Sequence, residues 1–230
     1  MSALQGPKFI PENSSIDSLV VLLHGYGADG QDLIDLAPFF AQHLPNTAFH
    51  SPDGPETCEM SPFGRQWFSL ARCDADFLRR NSETQDIAFE AMYAGACEAA
   101  PSVNEYIHSL MAEYQLTAKQ VCLVGFSQGT MMALHIGARQ TESFASIVGF
   151  SGALVGTSNI AKETTSKCPV LLIHGEADEM LPVHAVTLAE NGLRSAGFTP
   201  KVITRPALPH SIDQEGAIAA AAFLKNHLYP

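Results

Sequence analysis

The stretch Val121-Cys-Leu-Val-Gly125-Phe126-Ser127-Gln128-Gly129, with Thr130–Arg139 behind it, decides the fold. Four apolar residues predict a buried strand. The run from Gln128 to Arg139, apolar nearly all round (Met131, Met132, Leu134, Ile136, Ala138), predicts a helix in the middle of a sheet. Between them Gly-Phe-Ser-Gln-Gly satisfies G-x-S-x-G. A chain of this length carries such a match by chance roughly one time in fifteen, so the flanking strand and helix give it weight. A serine on that sharp turn projects its Oγ from the C-terminal edge of the sheet, and the following helix points its N-terminus at the place where negative charge develops. Ser127 is therefore the candidate nucleophile. Ser151, in Gly149-Phe-Ser-Gly-Ala153, is its rival, but the residues after it read as a loop, which makes it a neighbour of the site.

Working outward, the other strands are Leu19–Leu23, Ile147–Phe150, Val170–Ile173 and Val202–Thr204, with a weaker one at Thr47–His50. They are continuously apolar, as strands covered on both faces should be. Helices are expected at Leu33–Ala41, at Phe89–Tyr114 with Pro101 kinking or dividing it, at His184–Ala196, and at Ile212–Leu228 behind a Ser211–Gln214 capping box. Strands alternating with helices imply a mostly parallel sheet in an α/β protein. No repeat, low-complexity tract or linker interrupts residues 1–230, so a single domain is expected. Residues 52–82 are weakly periodic yet carry Met60, Phe63, Trp67 and Phe68, which predicts a packed loop bordering the site.

A serine hydroxyl needs a base, and the base needs an orienting carboxylate. After the strand at 170–173 comes His174-Gly-Glu-Ala-Asp178-Glu-Met-Leu181-Pro182. Asp178 is chosen because it lies in the loop before the Leu-Pro pair; Glu176 and Glu179 stay open as alternatives. Downstream stand only His184, His210 and His227. His184 is too close to the acid, and His227 suits the end of the last helix. His210, between a strand and the final helix, fits a base.

Gly25-Tyr26-Gly27-Ala28-Asp29-Gly30 also satisfies G-x-G-x-x-G after a strand, with Asp53 placed where a dinucleotide fold keeps its ribose-binding acid. That competing reading, an oxidoreductase using Gly25, Gly27 and Gly30, leaves Ser127, Asp178 and His210 unexplained. As an oxyanion loop, His24–Gly27 supplies one backbone N–H and Gln128 the other.

The net charge of −11 argues against nucleic acid and against adhesion to anionic membrane. Residues 1–8 contain no basic stretch leading into an apolar run, so no signal peptide is read, and the apolar runs fall far short of a membrane span. Five cysteines, an odd number without a CxxC pair, read as reduced thiols, so a cytoplasmic protein without membrane anchoring is expected. No HExxH or similar spacing suggests a metal, and the chemistry requires no cofactor.

Taken together, Leu22-Leu-His-Gly-Tyr-Gly27, Gln66-Trp-Phe68, Leu123–Gly129, His174–Asp178 with Leu181-Pro182, and Pro209-His210 resemble the phospholipase/carboxylesterase family of α/β-hydrolases. The resemblance implies Ser127, Asp178 and His210 as a triad and the Tyr26 and Gln128 N–H groups as oxyanion donors. It further implies that the Trp67 loop borders the acyl site and that a homodimer is possible. His-Gly-Tyr-Gly-Ala-Asp looks like the bacterial carboxylesterase branch rather than the acyl-protein thioesterases, which usually read His-Gly-Leu-Gly-Asp. Phe63, Trp67 and Leu181 are the candidate apolar lining for a small ester or thioester substrate with a short-to-medium acyl group.

Overall fold

The computed structural model describes residues 4–12, 15–73 and 78–229; residues 74–77 of the loop expected at 52–82 lie outside it. In chain order the elements are β1 (Lys8–Phe9), β2 (Ser18–Leu23), α1 (Gly30–Ile34), α2 (Ala37–Ala41), β3 (Thr47–His50), β4 (Glu56–Thr57), β5 (Arg65–Gln66), α3 (Gln85–Ala91) and α4 (Tyr93–Tyr114). They continue with β6 (Val121–Phe126), α5 (Gln128–Gly137), β7 (Ser146–Phe150), α6 (Thr157–Glu163), β8 (Val170–Gly175), α7 (His184–Ser195), β9 (Lys201–Arg205) and α8 (Gln214–Leu228).

Among the described residues seven strands form one sheet in the order β1-β3-β2-β6-β7-β8-β9; β1 runs antiparallel to β3 and the remaining pairs are parallel. Strand alternation divides the core. Leu19, Val21, Leu23, Leu123 and Leu172 pack with helices α3 to α7, whereas Val20, Leu22, Val124, Val148 and Ile173 pack with α1, α2 and α8. Both faces are thus covered, which is why these strands read as unbroken apolar runs.

Four local expectations are corrected. The helix expected at Leu33–Ala41 is two short ones, because Pro38 has no N–H to give the Ile34 carbonyl and its ring clashes there. Pro101 neither divides α4 nor marks the boundary, which falls at Met92. Pro101 and Cys97 both face solvent, so water can satisfy the carbonyl that the proline leaves free, while Ala96, Ala99 and Val103 hold the helix on the core. The last helix starts at Gln214 without the Ser211–Gln214 box. Asp213 caps it instead, accepting the Gly216 N–H at 2.8 Å, and Arg205 fixes that carboxylate from the other side at 2.9 Å. The loop-like residues after Ser151 lead into α6, which begins after Gly156 in the left-handed region (φ 67°).

The segment at 52–73 is packed only in part. Trp67 and Phe68 are buried, whereas Met60 and Phe63 are exposed. Its frame is the β4–β5 hairpin, whose Arg65 pairs with the chain at Gly27 and Ala28 (Gly27 N to Arg65 O 2.9 Å, Arg65 N to Ala28 O 2.7 Å). The five cysteines are free thiols, with Cys58, Cys122 and Cys168 buried. Among the described residues no helix is long and apolar enough to cross a membrane.

Candidate active site

β6 and α5 meet at Ser127, which sits at φ 53°, ψ −115°, a conformation that L-residues adopt only under constraint. The constraint is visible. Ser127 N–H donates to the Phe150 carbonyl at 2.9 Å, and the Ser127 carbonyl accepts from the N–H groups of Thr130 and Met131. The Thr130 hydroxyl lies 2.8 Å from the Gly125 carbonyl and 2.9 Å from that of Phe150, stapling the turn to both strands. A Cβ on Gly129 would stand 1.8 Å from the Leu23 carbonyl oxygen, so only glycine lets α5 come down on β2 here.

The neighbouring strand ends bring up an acid and a histidine. Asp178, in the loop after β8, is buried; its Oδ1 accepts the Met180 and Leu181 N–H groups at 2.9 and 2.8 Å. Its Oδ2 lies 2.7 Å from Nδ1 of His210, in the loop after β9. Burial alone would push the Asp178 carboxyl up. The His210 hydrogen bond, the Leu181 N–H and the two nearby imidazoles outweigh it and hold the pKa below the usual carboxylate range. The two loops touch because Gly175 has no side chain: a Cβ there would meet the Leu208 carbonyl oxygen at 2.2 Å. His174 reinforces the acid loop from below. Its Nε2–H donates to the Leu181 carbonyl at 2.8 Å, and burial lowers its pKa so that it stays neutral near pH 7.

After β2 the chain turns through His24–Ala28. His24 is fully buried. Its Nε2 lies 2.8 Å from the Gly54 N–H, which can only donate, so the ring proton must sit on Nδ1, 2.7 Å from the Gly25 carbonyl. Burial lowers its pKa in spite of that bond and of Asp53, Asp29 and Asp32 nearby. Trp67 backs the same turn, its indole N–H donating to the His24 carbonyl at 2.8 Å. The Gln128 side chain joins this turn to the elbow. Its Oε1 accepts the Trp67 N–H at 2.9 Å and its Nε2 donates to the Phe68 carbonyl at 2.8 Å. The Gln128 backbone N–H, in the first turn of α5, has no intrahelical acceptor.

The structure thus brings Ser127, Gln128, Tyr26, Leu181 and His210 around one cavity of about 130 Å³, with Asp178 directly behind His210. Phe63 is 92% exposed and does not line it. Trp67 is not at its wall either; it supports the Gly25–Tyr26 turn and borders a separate hollow of about 520 Å³. Glu176 points to Thr204 at the surface, and Ser151 is buried beside the elbow with its own positive φ of 44°. Sequence reasoning missed Leu70, Arg79, Met131 and Met180, which complete the cavity wall. Met131 was legible as the residue one turn into α5 from Ser127; Arg79 had no signal, because its segment lacks a period. Asp53 does not face a ribose site: its Oδ1 accepts the Gly30 N–H at 2.8 Å, and the helix that follows is only five residues long.

Residues 5–228 match the Phospholipase/Carboxylesterase family. Acyl-protein thioesterase 1 of Gibberella zeae is 26% identical, the alignment covering 97% of this chain and 96% of that one. Esterase YpfH of Escherichia coli K12 is 26% identical over 85% of this chain and 76% of its own length. The crystal structure of esterase PE8 superimposes with a TM-score of 0.88 at 38% identity, covering 99% of this chain and 100% of the other.

Proposed function

The chain belongs to the phospholipase/carboxylesterase family of α/β-hydrolases, and from that premise we propose that it is a serine carboxylesterase acting on short-to-medium acyl esters. The observation that carries this reading is the 2.7 Å contact of Asp178 with His210 Nδ1 beside a cavity that His210 shares with the strained Ser127. With Nδ1 engaged as donor, Nε2 is the acceptor and takes the Ser127 proton as Oγ attacks the ester carbonyl. The oxyanion that forms is met by the N–H groups of Tyr26 and Gln128. His210 returns the proton to the departing alcohol, the alcohol leaves, and water cleaves the acyl-enzyme by the same route.

A fluorophosphonate probe tests the assignment. Labelling of the wild type that disappears in Ser127→Ala supports it; an unlabelled wild type, or labelling that survives the substitution, sinks it. Turnover of p-nitrophenyl acetate should vanish with His210→Ala. In Asp178→Asn kcat should fall about 10⁴-fold, because the wrong imidazole tautomer is held. The likeness to acyl-protein thioesterases favours thioester cleavage by the same residues as a second reading. Oxygen and sulfur esters of one acyl chain, compared side by side, decide between them.

A further inference from the structure

Two hollows flank the pair Phe126–His210, whose rings lie 4.8 Å apart. They have Gly25, Ala28, Phe126 and His210 in common and otherwise differ. The first, about 130 Å³, contains Ser127 and Gln128 and is walled by Leu70, Met131 and Leu181. The second, about 420 Å³, is a wide cleft floored by Leu33, Leu36, Phe126 and Ile212, with Asp32 and Asp35 on its wall. We propose that the second cleft is the leaving-group subsite and that it selects esters of cationic, alkylammonium-type alcohols.

This rests on the reading of Ser127 as nucleophile and His210 as base. In acylation the Oγ–carbon bond forms, the carbon–oxygen bond to the alcohol breaks, and the proton that His210 took from Ser127 passes to the alcohol oxygen. The acyl carbon therefore stays at Ser127 and Gln128, while the alcohol must lie against His210. The wide cleft has His210 in its wall but neither Ser127 nor Gln128. The narrow one is the place for the acyl chain.

The chemistry of the cleft then specifies the alcohol. Asp32 and Asp35 are both solvent-exposed, and among the described residues no Lys or Arg lines the cleft. Asp29 and Asp53 do not line it but lie within electrostatic reach of His24 in its wall, each fixed by a backbone N–H (Gln31 to Asp29 and Gly30 to Asp53, 2.8 Å each). All four carboxylates add to the field of a chain that carries −11. A plain ammonium would be satisfied by the carboxylates alone. The aliphatic floor and the Phe126 ring suit a cation that wears methyl groups, which buries apolar surface and still gains from the charge.

The test uses the intact enzyme and two nearly isosteric esters, butyrylcholine and its neutral carbon analogue 3,3-dimethylbutyl butyrate. At about 0.02 M ionic strength kcat/KM should favour the cation about five- to tenfold, and the preference should shrink towards one at about 0.5 M salt. In Asp32→Asn/Asp35→Asn the same ratio should fall towards one at low salt. A ratio at or below one in the wild type overturns the proposal, and so does a preference that neither salt nor the double substitution reduces. The salt series needs no variant and decides the matter even if the double variant fails to fold. If the neutral ester is not hydrolysed at all, the esterase reading itself falls; if it is hydrolysed and the cation gains nothing, only the subsite assignment does.

Discussion

Nδ1 of His24 lies 2.7 Å from the carbonyl oxygen of Gly25, and that carbonyl shares its peptide plane with the N–H of Tyr26. Donation into one end of a peptide therefore aims the other end, and it polarises the N–H as well. The buried imidazole sets the direction of a proposed oxyanion donor from the far side of that peptide.

From this it follows that His24→Ala should lower kcat about ten- to a hundredfold, a larger effect than on KM. Outright loss of one donor costs about 10²–10³, and a mis-aimed donor should cost somewhat less. Steady-state kinetics on the folded variant checks it. Unchanged kcat would mean that the loop keeps its direction without the imidazole.

Gln128 should be worth more through its side chain than its place beside Ser127 suggests. Gln128→Ala leaves the Trp67 N–H and the Phe68 carbonyl without their partners, both inside the protein. A loss of about 2–4 kcal/mol in stability is expected, measured by denaturant unfolding. A loss below about 0.5 kcal/mol would show that water takes over both bonds.

The narrow cavity predicts an acyl-length profile. At about 130 Å³, and about 30 Å³ for each water-sized group, it holds an acyl chain of roughly four carbons. Activity should rise about three- to fourfold per methylene until the cavity is full and then drop. Met131→Ala should move the optimum to longer chains, at a stability cost of about 2–5 kcal/mol. A profile that still climbs at ten carbons in the wild type would contradict this.

Acid should destabilise the fold well before carboxylates titrate. Burial pushes His50, between the Tyr106 and Tyr114 hydroxyls, down to about 4, with Lys8 adding to it; burial and Arg139 do the same to His135. In both, the folded pKa lies below the unfolded value of about 6.5, so the folded state binds fewer protons. Their contribution is complete above pH 6.5 and is lost as pH falls towards 4, about 3 kcal/mol for each histidine. Unfolding at pH 7 and pH 4.5 measures it. His50→Gln should lessen the difference, and equal stability at the two pH values would refute it.

How much of this was legible in the sequence depends on burial. The central strands were, because two covered faces force unbroken apolar runs, and Thr47–His50 appears with the bounds read from sequence. Asp178 and His210 stood out because each follows an apolar strand. The two-residue strands β1, β4 and β5 were not legible, since two residues carry no period. Phe63 and Trp67 show the limit most sharply. Both are aromatic and four positions apart, yet one faces water while the other donates into the His24 carbonyl. Apolar character alone does not say which residue a loop turns inward. The polar contacts that decide it, from Arg65 to Gly27 and from Gln128 to Trp67, join segments far apart in the chain.

The order β1-β3-β2-β6-β7-β8-β9 has one more consequence, for the timing of folding. Tyr26, Ser127, Asp178 and His210 follow β2, β6, β8 and β9, so these four residues come from four separate segments of the chain. The site is complete only once β9, the last of these strands in chain order, has docked on β8 and carried His210 to Asp178. Because such non-local pairings close late, recovery of hydrolysis during refolding should trail the return of helical signal. Enzymatic activity in this chain is then a clock for the final closure of the sheet.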